Sequence, residues 1–392
     1  MLDPSSHHQP ATPWRGAALA IVYLCLSIPM GSWLGRIPDI KAGLGAGDGE
    51  WGGANSIASV GEIIGLVIIV VLIGGVSTRR MTITVAALTV AMSPIIALSP
   101  TLPALVTVLA LWMAASKILG TTSGALILVH QRNLGRSIFG GFDALYSVGM
   151  LTGGLLSWAA LHVGIPASMQ FAVTSCLLAA ALLVSLRALP DEETPHRPVT
   201  IHRRRLRTRF TPALLLLGGI CLLASIIDSA ASQWAGIFLS RTGQGGPAIG
   251  ALGYVLVMAS KSVTLLFIDR LGDRFGWPAT ARASITVAAI VLLIGVSFGG
   301  TGPAAAALLA LGAGTAFIGP MVNTLASTQP GVTVGEARTV LEMGEVPAYV
   351  LTPVLVGLLA SLTDVRWAFL ALTCGPLLLC AAALRQLPRR PQ

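Results

Sequence analysis

Seven ionisable side chains interrupt otherwise apolar stretches of this sequence, and such residues can carry protons or bind charged ligands. Burial favours the neutral form of a carboxylate, whereas a neighbouring lysine favours its charged form. A group of such residues can therefore take up or release a proton when a charge beside it moves. The seven are Glu62, Lys117, Asp143, Asp228, Lys261, Glu342 and Glu345.

Lys261 raises the sharpest question, because it stands in the apolar stretch VMASKSVTLLFIDRLGDRFG, residues 257–276. Asp269, the first charge of the cluster that ends this stretch, lies eight residues further on, which is about 12 Å along a helix. That depth prevents the side chain from extending easily to the aqueous interface. We expect the lysine to meet a carboxylate or a substrate across a cavity, with Glu62 as the leading candidate.

Six of these seven charges also have a purely structural explanation. A helix dipole could stabilise Asp143 if the residue lies near the start of its helix. Glu342 could pair with Arg338, four residues earlier, and Asp228 could hydrogen-bond to a neighbouring serine. A structural bridge between a glutamate and a lysine could account for the deepest charges, and removal of one partner would then be costly. These deepest charges are Glu62, Lys117 and Lys261.

Three uncharged side chains could complete a binding site around these charges. Trp33 and Trp234 could provide a stacking face, and Asn323, in GPMVNTLAS, could provide an amide. The two tryptophans lie near the ends of their apolar stretches, so anchoring at the membrane interface is the alternative for both.

The composition identifies the solvent around most of the chain. Of 392 residues, 54% are hydrophobic and only 10% are charged, and the mean hydropathy is +0.80. A soluble protein carries roughly 25% charged residues. The sequence therefore predicts an integral membrane protein, in which each buried charge would cost about 2.5–3.5 kcal/mol if it faced lipid. The charges must face a cavity or one another.

The apolar stretches predict twelve membrane-spanning helices, since about 20 apolar residues cross the hydrocarbon core. Short connections with helix-breaking residues, such as SPTLP and GGTGP, separate them. The predicted spans are 15–36, 52–75, 81–100, 104–129, 138–162, 167–187, 212–238, 248–269, 279–298, 303–327, 337–361 and 366–386.

The distribution of Lys and Arg predicts the orientation of these spans. With a cytoplasmic N-terminus, 19 of the 25 cations fall on cytoplasmic connections, four fall on the other side and two lie within spans. Short cytoplasmic loops collect such cations, so both termini should lie in the cytoplasm. The basic run HRRRLRTRF, residues 202–210, then lies beside the membrane, where it orients the chain and contacts anionic lipid. We expect no binding to nucleic acid.

A coarse internal repeat divides the spans into two sets of six. The long polar stretch 188–211 separates a first half, residues 1–187, from a second half, residues 212–392. Glu62 follows Trp33 by 29 residues, and Lys261 follows Trp234 by 27. The prediction is an all-α membrane fold of two pseudo-symmetric six-helix halves joined by a cytoplasmic linker, as in transporters that rock about a central site.

The whole chain resembles the major facilitator superfamily of transporters. The similarity is carried by DRLGDRFG in the second half, by the division of twelve spans, and by GRIPDIKAGLG after span one. The resemblance implies a cytoplasmic gate at DRLGDRFG, with an acid, Asp273, a base, Arg274, and a glycine, Gly276. Asp269 stands where the family has a leading glycine, and Trp277 stands where it has the last base.

The resemblance is weaker in the first half. There the gate motif is reduced to GGVSTRRM, residues 74–81, in which only Arg79 and Arg80 remain. The fifth span, GGFDALYSVGMLTGG, lacks the Gly-Pro pair of the antiporter motif and has Gly154 at the proline position. No motif therefore indicates export.

These observations predict a proton-coupled secondary transporter of a small polar, anionic or zwitterionic metabolite or drug-like compound. Export is the first expectation; uptake of a sugar or organic acid, and a channel or lipid flippase of the same fold, are the alternatives. No catalytic or metal-binding motif is present, so we expect no enzyme activity, cofactor or metal. The expected partners are substrate, protons and membrane lipid, and we expect a monomer in the inner membrane of a bacterium.

Overall fold

A computed structural model describes residues 13–72, 75–135, 138–189, 211–243, 245–329 and 334–386. The predicted linker, 188–211, and both chain ends fall largely outside these ranges. The described residues form fourteen α-helices, joined by short turns. They are α1 (Pro13–Gly43), α2 (Asp48–Leu72), α3 (Thr78–Ala97), α4 (Leu102–Leu134), α5 (Phe139–His162), α6 (Ala167–Ser185), α7 (Pro212–Thr242), α8 (Gly246–Leu265), α9 (Ile268–Phe275), α10 (Trp277–Phe298), α11 (Thr301–Thr315), α12 (Ile318–Ser327), α13 (Val334–Leu362) and α14 (Val365–Ala383).

The twelve predicted spans are confirmed by twelve helical segments that are long and apolar enough to cross a membrane. Two spans, the eighth and the tenth, are not single continuous helices as predicted. Span eight ends at Leu265, and the charged cluster that follows forms the separate short helix α9. Span ten is interrupted between α11 and α12, because the ring of Pro320 clashes with the carbonyl of Ala316 in a continuous helix.

Glycine allows close helix packing within the first half. A Cβ on Gly31 of α1 would lie 2.9 Å from Met150 Cα of α5, and a Cβ on Gly65 of α2 would lie 2.6 Å from Ala114 O of α4. One turn earlier, Gly61 packs in the same way on Ala110. These contacts set the register of α2 against α4.

The second half is packed by the same means. A Cβ on Gly253 of α8 would lie 2.7 Å from the carbonyl carbon of Ala235 in α7. A Cβ on Gly344 of α13 would lie 2.6 Å from Gly218 O of α7. Helix α7 is therefore held between α8 and α13, and the register of each neighbour is fixed.

The two halves meet at the end of the bundle that contains the turns at 44–47 and 363–364 and the end of α7 at Gly243, which we call the closed end. There a Cβ on Gly52 of α2 would lie 2.8 Å from Gly357 Cα of α13. Ser56 Oγ accepts a hydrogen bond of 2.9 Å from the backbone N–H of Val354. Pro38 of α1 packs against Gly236 of α7. The contact between the halves thus seals one end of the molecule.

The GRIPDIKAGLG segment provides much of the closed end, and its arginine is buried. Helix α1 continues to Gly43, so Arg36, predicted to lie at the membrane edge, is inside a helix and only 1% exposed. Its guanidinium donates to Gln170 Oε1 and to Ile165 O, each at 2.6 Å, and to Asp39 Oδ2 at 2.8 Å. Arg36 therefore ties α1 to α6 and to the turn before it.

An ion pair joins the halves at the closed end. Asp48, the first residue of α2, lies 2.9 Å from Lys41 Nζ of its own half and accepts two hydrogen bonds, of 2.9 and 3.0 Å, from Arg241 of the other half. The side chains of Asp48 and Lys41 are each 8% exposed, whereas that of Arg241 is 50% exposed. Lys41 therefore remains as a counter-ion for Asp48 when the halves separate.

We expect Asp48→Asn to loosen the closed end several-fold without unfolding either half. The substitution removes the inter-half ion pair and keeps a side chain of the same shape. Because Arg241 is half exposed, its ion pair with Asp48 stabilises the closed end by no more than about 1 kcal/mol. Double electron–electron resonance between spin labels at Ala42 and Thr363, on opposite halves, should show a larger population of long distances. An unchanged distance distribution would contradict the role of the ion pair.

Candidate functional site

Three side chains of the second half form a hydrogen-bonded charge cluster in the middle of the bundle. Lys261 Nζ of α8 lies 2.5 Å from Asp228 Oδ1 of α7, and Tyr349 Oη of α13 donates to Asp228 Oδ2 at 3.1 Å. Among the described residues, Asp228 is the only ion-pair partner of Lys261. The expectation that Lys261 pairs with Glu62 was wrong, and of the two explanations for Asp228 the described contacts do not show the hydrogen bond from its carboxylate to a serine.

The register of α7 and α8 explains this pairing. From the contact between Gly253 and Ala235, Lys261 lies eight residues and Asp228 seven residues towards the end opposite the closed end. Both residues are thus about 10–12 Å from that contact, at one level. The sequence repeat indicated the wrong half for the partner of Lys261.

Glu62 and Lys117 lie near each other in the first half without an ion pair. Since Gly65 packs on Ala114, Lys117 lies six residues, or about 9 Å, beyond the level of Glu62 along the axes of α2 and α4. Lys117 and Glu345 act electrostatically on Glu62. Within the described ranges, none of these three side chains has an ion pair or a side-chain hydrogen bond.

Glu345 faces the first half from α13. From the contact between Gly52 and Gly357, Glu62 lies ten residues and Glu345 twelve residues away from the closed end. The two carboxylates are therefore at a similar depth, about 15–18 Å from that contact, on opposite halves. Glu345 is also one helical turn from Tyr349, on the same face of α13. The charges of both halves thus surround one central compartment.

The tyrosines of this compartment were not identified from the sequence. Tyr23 and Tyr146 pack edge to face, with ring centroids 6.5 Å apart. Tyr146 and Tyr254 both lie within electrostatic range of Asp228, and Tyr349 binds it directly. A signal was available: the chain has only four tyrosines, and each falls inside a different predicted span.

The tryptophans do not line the compartment in this structure. Trp33 and Trp234 are each 1% exposed, and Trp33 stacks on Trp51 with centroids 6.1 Å apart. The expectation that they offer a stacking face was wrong for this conformation, because closed-end packing covers both rings. Neither ring is exposed at the surface, as an anchor at the membrane interface would be.

The remaining predicted site residues lie towards the opposite end. Asp143 is exposed four residues into α5, and Asn323 is exposed and donates to Gly319 O at 3.0 Å. Glu342 pairs with Arg338 at 3.1 Å, which confirms the structural explanation for that acid. Arg338 also lies within electrostatic range of Asp143 on the other half.

The predicted gate residues lie at the same opposite end, on α9 and at the start of α3. The side chains of Asp269 and Asp273 are outside the described part of the structure. Arg274 stacks on the ring of Phe275, and Gly276 ends α9 with a φ of +84°, which only glycine adopts readily. Arg79 donates to Leu186 O at 2.8 Å, and Arg80 is exposed.

Comparison with known proteins agrees with this architecture. No family model matches the chain. The uncharacterised transporter y4wD of Sinorhizobium fredii is 25% identical over 361 residues, covering 91% of this chain and 94% of the relative. An uncharacterised MFS-type transporter of Yersinia pestis is 20% identical over 381 residues, covering 96% and 97%.

Solved structures share the fold at low sequence identity. The nucleoside transporter NupG superposes with a TM-score of 0.72 at 16% identity, over 95% of this chain and 98% of its own. A bacterial homologue of the human lysosomal transporter Spinster, in an inward-facing and occupied conformation, superposes with a TM-score of 0.72 at 12% identity, over 95% and 97%.

Twelve membrane-spanning helices in two halves around a charged central compartment define a multi-pass membrane transporter. The chain has the fold of the major facilitator superfamily, and the relatives that it matches over almost its whole length are named as transporters.

Proposed function

We propose that the protein is a proton-coupled secondary transporter of a small zwitterionic or anionic compound, which moves by alternating exposure of the central compartment. One observation carries the proposal: Glu62 and Lys117 of the first half and Glu345 of the second have no ion-pair partner among the described residues. Unpaired charges inside a membrane protein are expensive, and they usually mark substrate or proton pathways. Their position between the halves allows both halves to bind one substrate.

The signs of these charges favour a substrate that carries both charges. Asp228 neutralises Lys261, which leaves two acids and one lysine available to a ligand. A purely lipophilic cation would need no lysine. A zwitterion can place its anionic group near a lysine and its ammonium group near the acids, so that every buried charge gains a partner.

Export is the direction expected from the sequence, with protons and substrate competing for the carboxylates. Uptake is the second candidate, and the pair of Asp228 and Lys261 favours it. An anionic substrate reaches Lys261 most easily when a proton has neutralised Asp228, so that proton and substrate bind together. A channel or flippase would need neither arrangement.

The cation distribution supports an orientation in which the linker and both termini are cytoplasmic. The closed end then faces the other side of a bacterial inner membrane, and the compartment opens towards the cytoplasm. In the opposite state Asp273 would hold the cytoplasmic gate, as the family resemblance implies. The transporter would act as a monomer in contact with lipid, without a catalytic role or a cofactor.

The experiment is transport by purified protein in proteoliposomes, with compounds first selected by thermal shift from zwitterionic and anionic metabolite and antibiotic panels. Glu62→Gln should abolish transport driven by a pH gradient and retain exchange without a gradient, because the amide cannot carry a proton. Asp364→Asn is the matched control, since this half-exposed acid caps the start of α14 at the closed end, away from the compartment.

The direction of the effective gradient separates uptake from export. Flux that is independent of any gradient and shows no exchange would indicate a channel. Gradient-driven transport by Glu62→Gln at the wild-type rate would overturn the proposed role of this acid.

A further inference from the structure

We propose that Lys261 and Tyr349 form a binding subsite for the anionic group of the substrate, and that Asp228 occupies this subsite until it is protonated. The inference rests on the proposed function and specifies its chemistry. The ligand class is a zwitterion whose carboxylate, sulfonate or phosphate group replaces the Asp228 carboxylate.

The geometry of Asp228 is that of a bound ligand. Its two carboxylate oxygens take one donor each, Oδ1 from Lys261 Nζ at 2.5 Å and Oδ2 from Tyr349 Oη at 3.1 Å. A substrate carboxylate has the same pair of oxygens and can accept from the same two donors. Charge-assisted hydrogen bonds of this kind are among the stronger polar contacts in proteins.

The subsite is accessible, unlike the buried ion pair of Lys41 and Asp48 at the closed end. The side chains of Lys261 and Asp228 remain 27% and 32% exposed, whereas Lys41 and Asp48 at the closed end are each 8% exposed. A ligand that enters the compartment can therefore reach Lys261. The three residues come from three helices of one half, so the subsite travels with that half.

An anion that approaches Lys261 favours a proton on Asp228, because the two negative groups compete for the same ammonium. Glu62 of α2 and Glu345 of α13 lie within electrostatic range of Tyr349, and Tyr146 of α5 and Tyr254 of α8 lie within electrostatic range of Asp228. On protonation, the Asp228 carboxylate takes one proton from compartment water, and Lys261 keeps its ammonium. No other bond changes, and the ammonium and the phenol are free for an incoming anion.

Glu345 specifies the second charge of the ligand. It lies four residues before Tyr349 on the same face of α13, where side chains are about 5–6 Å apart at Cβ. An ammonium group a few ångströms from the bound anion meets this carboxylate. A simple anion would instead experience its repulsion, so the site favours a zwitterion.

The test uses taurine, whose sulfonate stays ionised across the pH range, so any pH dependence belongs to the protein. Binding is measured by thermal shift and calorimetry between pH 5.5 and 8.5, with methanesulfonamide as the uncharged probe. Wild-type protein should bind taurine at least tenfold more tightly at pH 5.5 than at pH 8.5. Methanesulfonamide should not bind.

Variants distinguish displacement of Asp228 by the substrate from a pH effect of the overall charge of the compartment. Asp228→Asn should bind taurine equally at all pH values, and Lys261→Met should not bind it at any. Tyr349→Phe should weaken binding and move the midpoint to higher pH, because the charged Asp228 loses a hydrogen bond. Asp364→Asn should match the wild type.

Wild-type binding that does not change with pH, or no binding by folded Asp228→Asn, would overturn the inference. If Asp228→Asn does not fold, the wild-type pH profile and the Tyr349→Phe shift decide the result. Failure of the proposed function would show separately, as protein that binds taurine with the expected pH profile but moves no compound in proteoliposomes.

Discussion

Gly52→Val is expected to abolish transport while leaving both halves folded. The nearest atoms to a Cβ at this position all belong to Pro353 and Gly357 of α13, on the other half. A valine there would hold the closed end apart, and overpacking of this kind costs about 1–3 kcal/mol, or roughly five- to 150-fold in the equilibrium between states. Spin labels at Ala42 and Thr363 should report mainly the long distance.

The neighbouring Gly53 provides a matched control. A Cβ at Gly53 meets no atom within 4 Å, so Gly53→Val makes the same chemical change on the same helix in open space. This variant should transport normally and keep the short distance. If Gly52→Val and Gly53→Val lost transport equally, the effect would come from a change within α2, and the role of the inter-half contact would be contradicted.

Arg36→Lys is expected to lower the melting temperature of the purified protein by several degrees. Lysine carries the same charge but lacks the planar fork that reaches Gln170, Ile165 and Asp39 together. Each buried acceptor left without a donor costs about 1–3 kcal/mol. Fluorescence-detected size-exclusion chromatography after heating measures the loss.

Arg241→Lys serves as the comparison for this substitution. Arg241 is half exposed at the closed end, so water can solvate any group that it leaves. Its replacement should leave the melting temperature within about one degree of the wild type, since surface pairs contribute little. A similar fall in both variants would mean that the burial of Arg36 is not what stabilises α1.

The spans were predictable because hydropathy measures how apolar a stretch is, and only apolar helices are stable in the hydrocarbon core of the bilayer. The partners of the charges were less predictable. Sequence spacing estimates the depth of Lys261 along its helix, but depth does not determine which neighbouring helix the side chain faces. The contact between Gly253 and Ala235 determines that, and neither residue is distinguished in the sequence from other small residues.

Two residues show opposite errors of sequence interpretation. Arg36 was counted with the connections, because an arginine after an apolar stretch normally marks a membrane edge, yet α1 continues past it and buries it. Tyr349 was passed over, because one tyrosine in an apolar helix is usually a packing residue. Its role depends on Asp228, which is 121 residues away in the chain and is brought near only by the packing of α7 against α13.

The unequal exposure of the partners of Asp48 has a consequence for the medium on that side of the membrane. Dissolved salt screens charges that water can reach, with a Debye length of about 8 Å at physiological ionic strength and about 3 Å at 1 M. It should weaken the bond to half-exposed Arg241 and leave the bond to buried Lys41 nearly intact. High osmolarity from salt, but not from a neutral osmolyte such as sucrose, would then favour opening at that face, so the resting protein would respond to the salinity of its surroundings.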